Sequence, residues 1–399
     1  MMTDENLEYA MFSRAEMERR HARARELMGE RKIDALLITG EHNFQYFAGT
    51  SASIGPGESF ARPSIFILPV EGEPIIVTQG KERIVLGCYV RDIRGYYNVL
   101  DFPLDVVADA LKETGLKNRR VGAELGQEQR MGMPVGAYLE LTAALSDVEF
   151  VDAADVVIRL RMNKSQEELA YMREAAAVTA RARQRLYRDH LVPGMTEREL
   201  ARTIRRLILE EGGDSTSFVH LQFDIQNELP GAKAAYHYDR PLRKGTILGI
   251  DTGAFVGMYT VDYPRLVSLG PATDAQKRLY ASLLEANRRM AQALRPGVTA
   301  SELHRVAVKF IEDSGLTADN PEKLRGGSRF GHGQGMQFTE PPSITPSDHT
   351  ALEVGTVIST EPGVGDGTLQ LLWEDVHVVT EDGHEQLTLE TDELMEVPF

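Results

Sequence analysis

The stretch Pro193-Gly-Met-Thr-Glu-Arg-Glu-Leu200 returns 103 residues later as Pro296-Gly-Val-Thr-Ala-Ser-Glu-Leu303. Both copies read Pro-Gly-x-Thr-x-x-Glu-Leu, and both carry the same physics. Pro-Gly closes one helix, the hydroxyl of Thr196 or Thr299 caps the next, and Glu199 or Glu302 completes a capping box. Each copy runs into an amphipathic stretch that ends at glycine, at Gly212-Gly213 and at Gly315. One capping box recurs easily by chance, but one that recurs with its flanking helices predicts a duplicated helix-turn-helix followed by strands. The result is a pseudo-symmetric domain whose halves meet at a shared cleft.

At 399 residues the chain is too long for one ordinary core, so the duplicated domain needs a companion. The N-terminal part alternates. A helix is expected over 13–30, with Ser13 as N-cap and Glu16 as its capping-box partner. Strands are expected at Ala35–Ile38, Ile65–Leu68 and Ile75–Val77, the last two joined by the turn Glu71-Gly-Glu73. Then come a helix near Leu104–Thr114, a strand at Arg120–Ala123, a helix near Pro134–Leu145 and a strand at Val148–Val151. Such alternation describes an α/β layer domain. Between the early strands, Ser51–Arg62 reads as a surface loop able to reach a neighbouring site. Near Val156–Ser165 the pattern passes from β-like to a long helix, which divides the chain into domains at 1–158 and 159–399.

Charge and composition narrow the classes of function. Lys+Arg 44 against Asp+Glu 60 leaves a net charge of −16, which opposes a nucleic-acid partner. The single cysteine, Cys88, excludes an intramolecular disulfide framework and a cysteine-rich zinc site. No apolar run has the length of a membrane span, and the charged N-terminus lacks the apolar core of a secretory signal. A cytoplasmic protein with no membrane partner is the expectation.

Chemistry concentrates in the second domain. Gly249–Arg265 carries Asp251 and Asp262, eleven positions apart, each after an apolar residue that reads as a strand end. Downstream lie His332 in Phe330-Gly-His-Gly-Gln-Gly335, Glu361 in Ser359-Thr-Glu-Pro-Gly363, and Glu374 in Leu371-Leu-Trp-Glu-Asp-Val376. Singly, each has an ordinary structural reading: a cap, a turn residue, a strand residue, a buried histidine. Together, four carboxylates and one imidazole fit two divalent ions held by hard oxygen donors. Manganese suits that set, with iron, cobalt or zinc as alternatives.

The order Asp, Asp eleven later, His in Gly-His-Gly, Glu in Glu-Pro-Gly and Glu in Glu-Asp resembles the pita-bread metallopeptidases: methionine aminopeptidase, prolidase, aminopeptidase P and creatinase. Looser motifs resemble the N-terminal domain of the creatinase and aminopeptidase P group: Ile33-Asp-Ala-Leu-Leu37, Asn43-Phe-Gln-Tyr46 with Gly49, and Arg62-Pro63. The resemblance covers nearly the whole chain. It implies an α/β N-terminal domain plus an α+β pita-bread C-terminal domain with a pseudo-two-fold internal repeat. It implies Asp251, Asp262, His332, Glu361 and Glu374 as metal ligands, hydrolysis of an Xaa-Pro peptide bond in a small peptide, and a homodimer. It further implies catalytic roles for Glu361, in proton transfer, and for His237, in Ala235-Tyr-His-Tyr-Asp-Arg-Pro241, at the developing oxyanion.

Two positions depart from the family pattern. The tripeptide His-Glu-Pro is here Thr339-Glu-Pro341, and a hydroxyl does not carry a proton near neutral pH as imidazole does. Leu372 stands where many relatives have arginine. Both keep open a non-peptidase reading on a small molecule, like creatinase, ectoine hydrolase or the lyases of dimethylsulfoniopropionate. A catalytically silent binding protein is a third reading, opposed by the complete ligand set. Thr339 is a candidate substrate contact. His220, in Phe218-Val-His-Leu-Gln-Phe223, reads first as a strand histidine and second as a pocket residue.

Overall fold

The computed structural model describes residues 4–51, 62–81, 84, 87–224 and 238–399. The chain divides into two compact units, residues 1–161 and 162–399.

In the first unit, helix α1 (Arg14–Arg31) begins where expected: Ser13 Oγ accepts from Glu16 N at 3.1 Å. The Glu16 carboxylate turns to Arg19 and Arg20. After β1 (Ala35–Ile38) and α2 (Glu41–Ala48) come β2 (Ile65–Pro69), β3 (Ile75–Gln79), β4 (Asp92–Tyr96), α3 (Leu104–Glu113), β5 (Arg120–Ala123), α4 (Val135–Ala144) and β6 (Glu149–Asp152). The strands form one mixed sheet in the order β4-β3-β2-β1-β5-β6. Strands β1, β2 and β3 pair antiparallel; β4, β5 and β6 join in parallel. The buried aliphatic runs of β1 to β3 pack with Val107, Leu111 and Leu141 of α3 and α4 into one core. The segment read as β-like near Val156 is helical instead: α5 spans Ala154–Met162. Its β-branched pair Val156-Val157 packs inward on one buried face, and burial overrides their weak helix propensity.

The second unit opens with α6 (Gln166–Arg185), capped by Ser165 and Glu168. Then follow α7 (Glu197–Glu210), β7 (Ser215–Phe223), β8 (Ile247–Val256), β9 (Tyr259–Thr260), β10 (Tyr263–Leu269), α8 (Asp274–Gln292), α9 (Ala300–Ser314) and β11 (Thr317–Ala318). The chain continues through β12 (His332–Gly333), β13 (Glu340–Ser343), β14 (Val357–Thr360), β15 (Gly363–Gly365), β16 (Gln370–Leu372), β17 (Asp375–Thr380), β18 (Gly383–Gln386) and β19 (Met395–Val397). One sheet runs β19-β10-β8-β7, a second β13-β12-β14-β17-β18, and β11-β15-β16 makes a third.

The duplication is visible at the level of single hydrogen bonds. Thr196 and Thr299 both cap through complete boxes, with φ of −91° in each. Met195 O accepts from Leu242 N, and Val298 O from Leu352 N, both at 2.8 Å. The same register recurs in the sheets: Leu248 faces Val267 and Ile250 faces Arg265 in β8–β10, while Ile358 faces His377 and Thr360 faces Asp375 in β14–β17. Each pair of equivalent strand residues is 110 positions apart. The helices repeat at 103, so the connection between α9 and the second sheet is longer by seven residues than its counterpart.

Candidate metal centre

The pseudo-symmetry brings the acidic residues together. Asp251 lies inside β8, opposite Pro264 of β10, and Asp262 immediately precedes β10. Asp251 is thus a mid-strand residue rather than the strand end expected from the sequence, since β8 continues to Val256 before turning at Gly257. The hairpin closes tightly at Gly253, where a Cβ would lie 1.9 Å from Val261 O. Any other residue there would force Asp262 away from Asp251.

The second half supplies the rest. Glu361 directly follows β14, its N–H donating to Phe330 O at 2.8 Å. Gly331, with φ of +143°, would place a Cβ 2.1 Å from Ser359 O, so only glycine lets the His332 strand approach β14 this closely. Glu374 lies between β16 and β17, not within the strand that follows it.

Asp262, His332 and Glu374 are all buried, and each offers one ligand atom within 4.8 Å of the others. His332 Nε2 lies 3.5 Å from Glu374 Oε1. On the other side of the ring, Nδ1 is 3.0 Å from Gly333 O. A carbonyl only accepts, so Nδ1 carries the proton and Nε2 presents its lone pair to the cluster. Burial, with the nearby Arg329 charge, pushes the imidazole down to about 3, so His332 is neutral at physiological pH.

The carboxylates shift the other way. Asp262 is raised well above the ordinary range by burial and by the charges of Asp251 and Glu361. Glu374 is raised by burial and by Glu361, Asp262 and Asp251. Glu361, more accessible than its neighbours, is raised by burial against the opposing pull of Lys323. Asp251 Oδ1 and Asp262 Oδ1 are buried and accept no hydrogen bond among the described residues. Like charges crowded in low dielectric and orphaned acceptors need cations. The donor set, oxygen-rich with one neutral imidazole, fits divalent metal ions.

Several supporting residues escaped the sequence reading. Gln334 is fully buried; its Oε1 accepts from Asp262 N at 3.0 Å, while Nε2 donates to Asp262 O at 2.8 Å and to Glu374 Oε1 at 2.9 Å. One amide thus clamps two candidate ligands. No local signal marked it, because Gln334 lies just beyond the two-residue strand β12. Ser359 Oγ accepts from His332 N at 3.0 Å and also bonds the Glu374 carboxylate. Buried Lys323 donates to Glu361 O at 3.3 Å and lies 3.2 Å from Asp319 Oδ1. Arg265 donates to Glu374 O at 2.7 Å and to Asp375 Oδ1 at 2.6 Å.

Of the remaining candidates, His220 stands on β7 opposite Asp251, with Nδ1 3.8 Å from Asp251 Oδ2. It borders the cluster rather than the core. Thr339 Oγ1 accepts from Arg329 Nη2 at 3.0 Å. His237 lies outside the described residues, as does most of the Ser51–Arg62 loop.

Comparison with known proteins agrees with this architecture. Residues 170–381 match the model of metallopeptidase family M24, and residues 20–163 match the creatinase/prolidase N-terminal domain. A probable dipeptidase PepE of Mycobacterium bovis is 31% identical over 385 residues, 95% of this chain and 96% of that protein. An Xaa-Pro dipeptidase of Pyrococcus furiosus is 28% identical over 376 residues, 93% of this chain and 97% of that one. The crystal structure of dipeptidase PepE from Mycobacterium ulcerans superposes with a TM-score of 0.79 at 30% identity, covering 97% of this chain and all of that one. The duplicated domain with its acidic centre, joined to a creatinase-type N-terminal domain, belongs to metallopeptidase family M24.

Proposed function

We propose that this protein is a metal-dependent hydrolase of a peptide C–N bond, of the Xaa-Pro type, acting on small peptides. The observation that carries the reading is the convergence of Asp262, His332 and Glu374 within 4.8 Å of one another. Full-length similarity to proteins named Xaa-Pro dipeptidase supports the substrate class.

Asp251, Asp262, His332, Glu361 and Glu374 are assigned as ligands of two divalent ions, manganese first, with iron, cobalt or zinc as alternatives. Such ions activate a water and polarise the scissile carbonyl. Glu361 is also assigned to take up and return a proton at its carboxylate oxygen, the role that the family resemblance implies. His237 is assigned to the carbonyl oxygen as negative charge develops there. Thr339 and His220 face the substrate. The same reading treats 1–158 and 159–399 as the functional modules of a cytoplasmic homodimer.

Thr339 favours a second reading. A hydroxyl that already accepts from Arg329 does not shuttle protons as a histidine would. A small non-peptide compound, like the substrates of creatinase, ectoine hydrolase or dimethylsulfoniopropionate lyase, fits that loss.

Metal analysis of the purified protein tests the centre first. Turnover is then measured on Xaa-Pro dipeptides, longer Xaa-Pro peptides, creatine, ectoine and dimethylsulfoniopropionate, with and without Mn²⁺. Bound metal with dipeptide turnover is the expected result. Absence of metal binding overturns the assignment, and metal binding with turnover of a non-peptide alone replaces the first reading by the second.

A further inference from the structure

Among the described residues, the Arg329 guanidinium has a single hydrogen-bond partner. It is half-buried beside the candidate metal centre, close enough for its charge to act on Asp262, Glu361 and His332. Yet among the described residues it makes no ion pair, and its one hydrogen bond there goes from Nη2 to Thr339 Oγ1. Other arginines of the same unit behave differently. Arg183 and Arg265, both buried, donate to Glu390 and Asp375, respectively, and to main-chain carbonyls. Arginine has five N–H donors, and a partly desolvated one with a single neutral partner is an incomplete site.

Its surroundings define what would complete it. Thr339 fixes one edge of the guanidinium plane. Next to Thr339, Phe338 stands 43% exposed and packs edge-on against Phe218, with ring centroids 5.0 Å apart. Phe218 lies on β7, two residues before His220, which borders Asp251. The centre is therefore flanked by a fixed cation and by an aromatic wall.

We propose that Arg329 is the substrate-recognition residue for a carboxylate, and that Thr339 is its positioning residue. The substrate class is a small compound with a C–N bond that carries a carboxylate on one side and an apolar body on the other. This rests on the metal-centre reading for the location of the reacting bond, not for the carboxylate contact itself. It gives the threonine a purpose: the hydroxyl aims the guanidinium, and a planar fork binds a carboxylate through two parallel hydrogen bonds. Leu372 offers no cation of its own.

The test is equilibrium binding, by calorimetry on the metal-loaded full chain, of 3-phenylpropionate and of its amide. The pair shares an apolar body and differs in charge. The wild type is expected to prefer the acid, and Arg329→Gln to lose about tenfold or more of that preference, the range of a charge-assisted hydrogen bond. Thr339→Val is expected to lose a smaller part, and Thr339→Ser to restore it, a rescue that a purely structural role would not require. Thermal melts of each variant exclude unfolding. An acid preference undiminished in Arg329→Gln assigns the carboxylate to the metal and overturns the proposal. Failure of every Xaa-Pro peptide to react, with an Arg329-dependent preference intact, removes the peptidase reading and leaves this one standing.

Discussion

Arg265 and Asp375 are joined by a buried ion pair of 2.6 Å, and they are equivalent residues of the two repeats, 110 positions apart. The two repeats therefore meet here through equivalent residues, next to the candidate ligand Glu374. Arg265 also donates to Glu374 O, while Asp375 accepts from Trp373 Nε1, Asn287 Nδ2 and Thr388 Oγ1. A charge that is fully buried on both sides is costly to orphan. Replacing Arg265 by Met is expected to destabilise the protein by about 3–5 kcal/mol in urea unfolding. The exposed pair Arg288–Glu285, broken in the same way, is expected to cost less than about 1 kcal/mol. Equal effects would show that the central pair contributes no more than a surface one.

The crowded carboxylates make a pH prediction with a definite sign. Asp262, Glu361 and Glu374 have folded-state pKa values above their unfolded ones. The folded metal-free chain therefore binds more protons than the unfolded chain between the ordinary carboxylate range, about 4, and the raised values. Their contribution is most favourable below that range and is lost as pH rises through the raised values. Metal-free Asp262→Asn is thus expected to melt higher than the metal-free wild type at pH 8, with the gap closing towards pH 5. Added Mn²⁺ reverses the order at pH 8. A metal-free variant no more stable than wild type at pH 8 contradicts this.

Gln334 touches two candidate ligands without being one. Gln334→Leu is expected to lower divalent-metal affinity about 10- to 100-fold, the usual consequence of removing a ligand's support. Competition with a fluorescent chelator measures it directly. Unchanged affinity would mean that Asp262 and Glu374 hold their positions without the amide.

The two helix caps offer a test of the repeat itself. Thr196 and Thr299 have the same geometry and the same reciprocal glutamate. Thr196→Ala and Thr299→Ala should each cost about 1 kcal/mol, and the double variant should cost their sum, since the caps lie on different helices. Unfolding curves of the three variants decide it.

Most of this architecture was legible in the residues. Caps, glycines and strand periodicity act over three or four positions, so the helix starts at Ser13, Thr196 and Thr299 and the strands β1 to β3 could be read locally. The segment at Val156 could not, because its helical state depends on what packs against two valines. The ligand candidates were legible as well, from their order and their glycine-rich settings. What surrounds them was not. Arg329 lies three residues before His332 and ten before Thr339, and nothing in that spacing says that its guanidinium meets the threonine hydroxyl. Gln334, Ser359 and Lys323 look ordinary until the chain is folded.

The amino-acid sequence alone determined the duplication, because periodicity and capping are local constraints, while its resemblance to a known family implied the class of fold and marked the acidic residues as candidates. Only the tertiary structure decided which nitrogen of His332 faces the cluster, which carboxylate oxygens find no partner among the described residues, and where the Arg329 guanidinium sits. Those are questions of distance between residues far apart in the chain, and the 110-residue register that answers them exists only once β8–β10 and β14–β17 have paired.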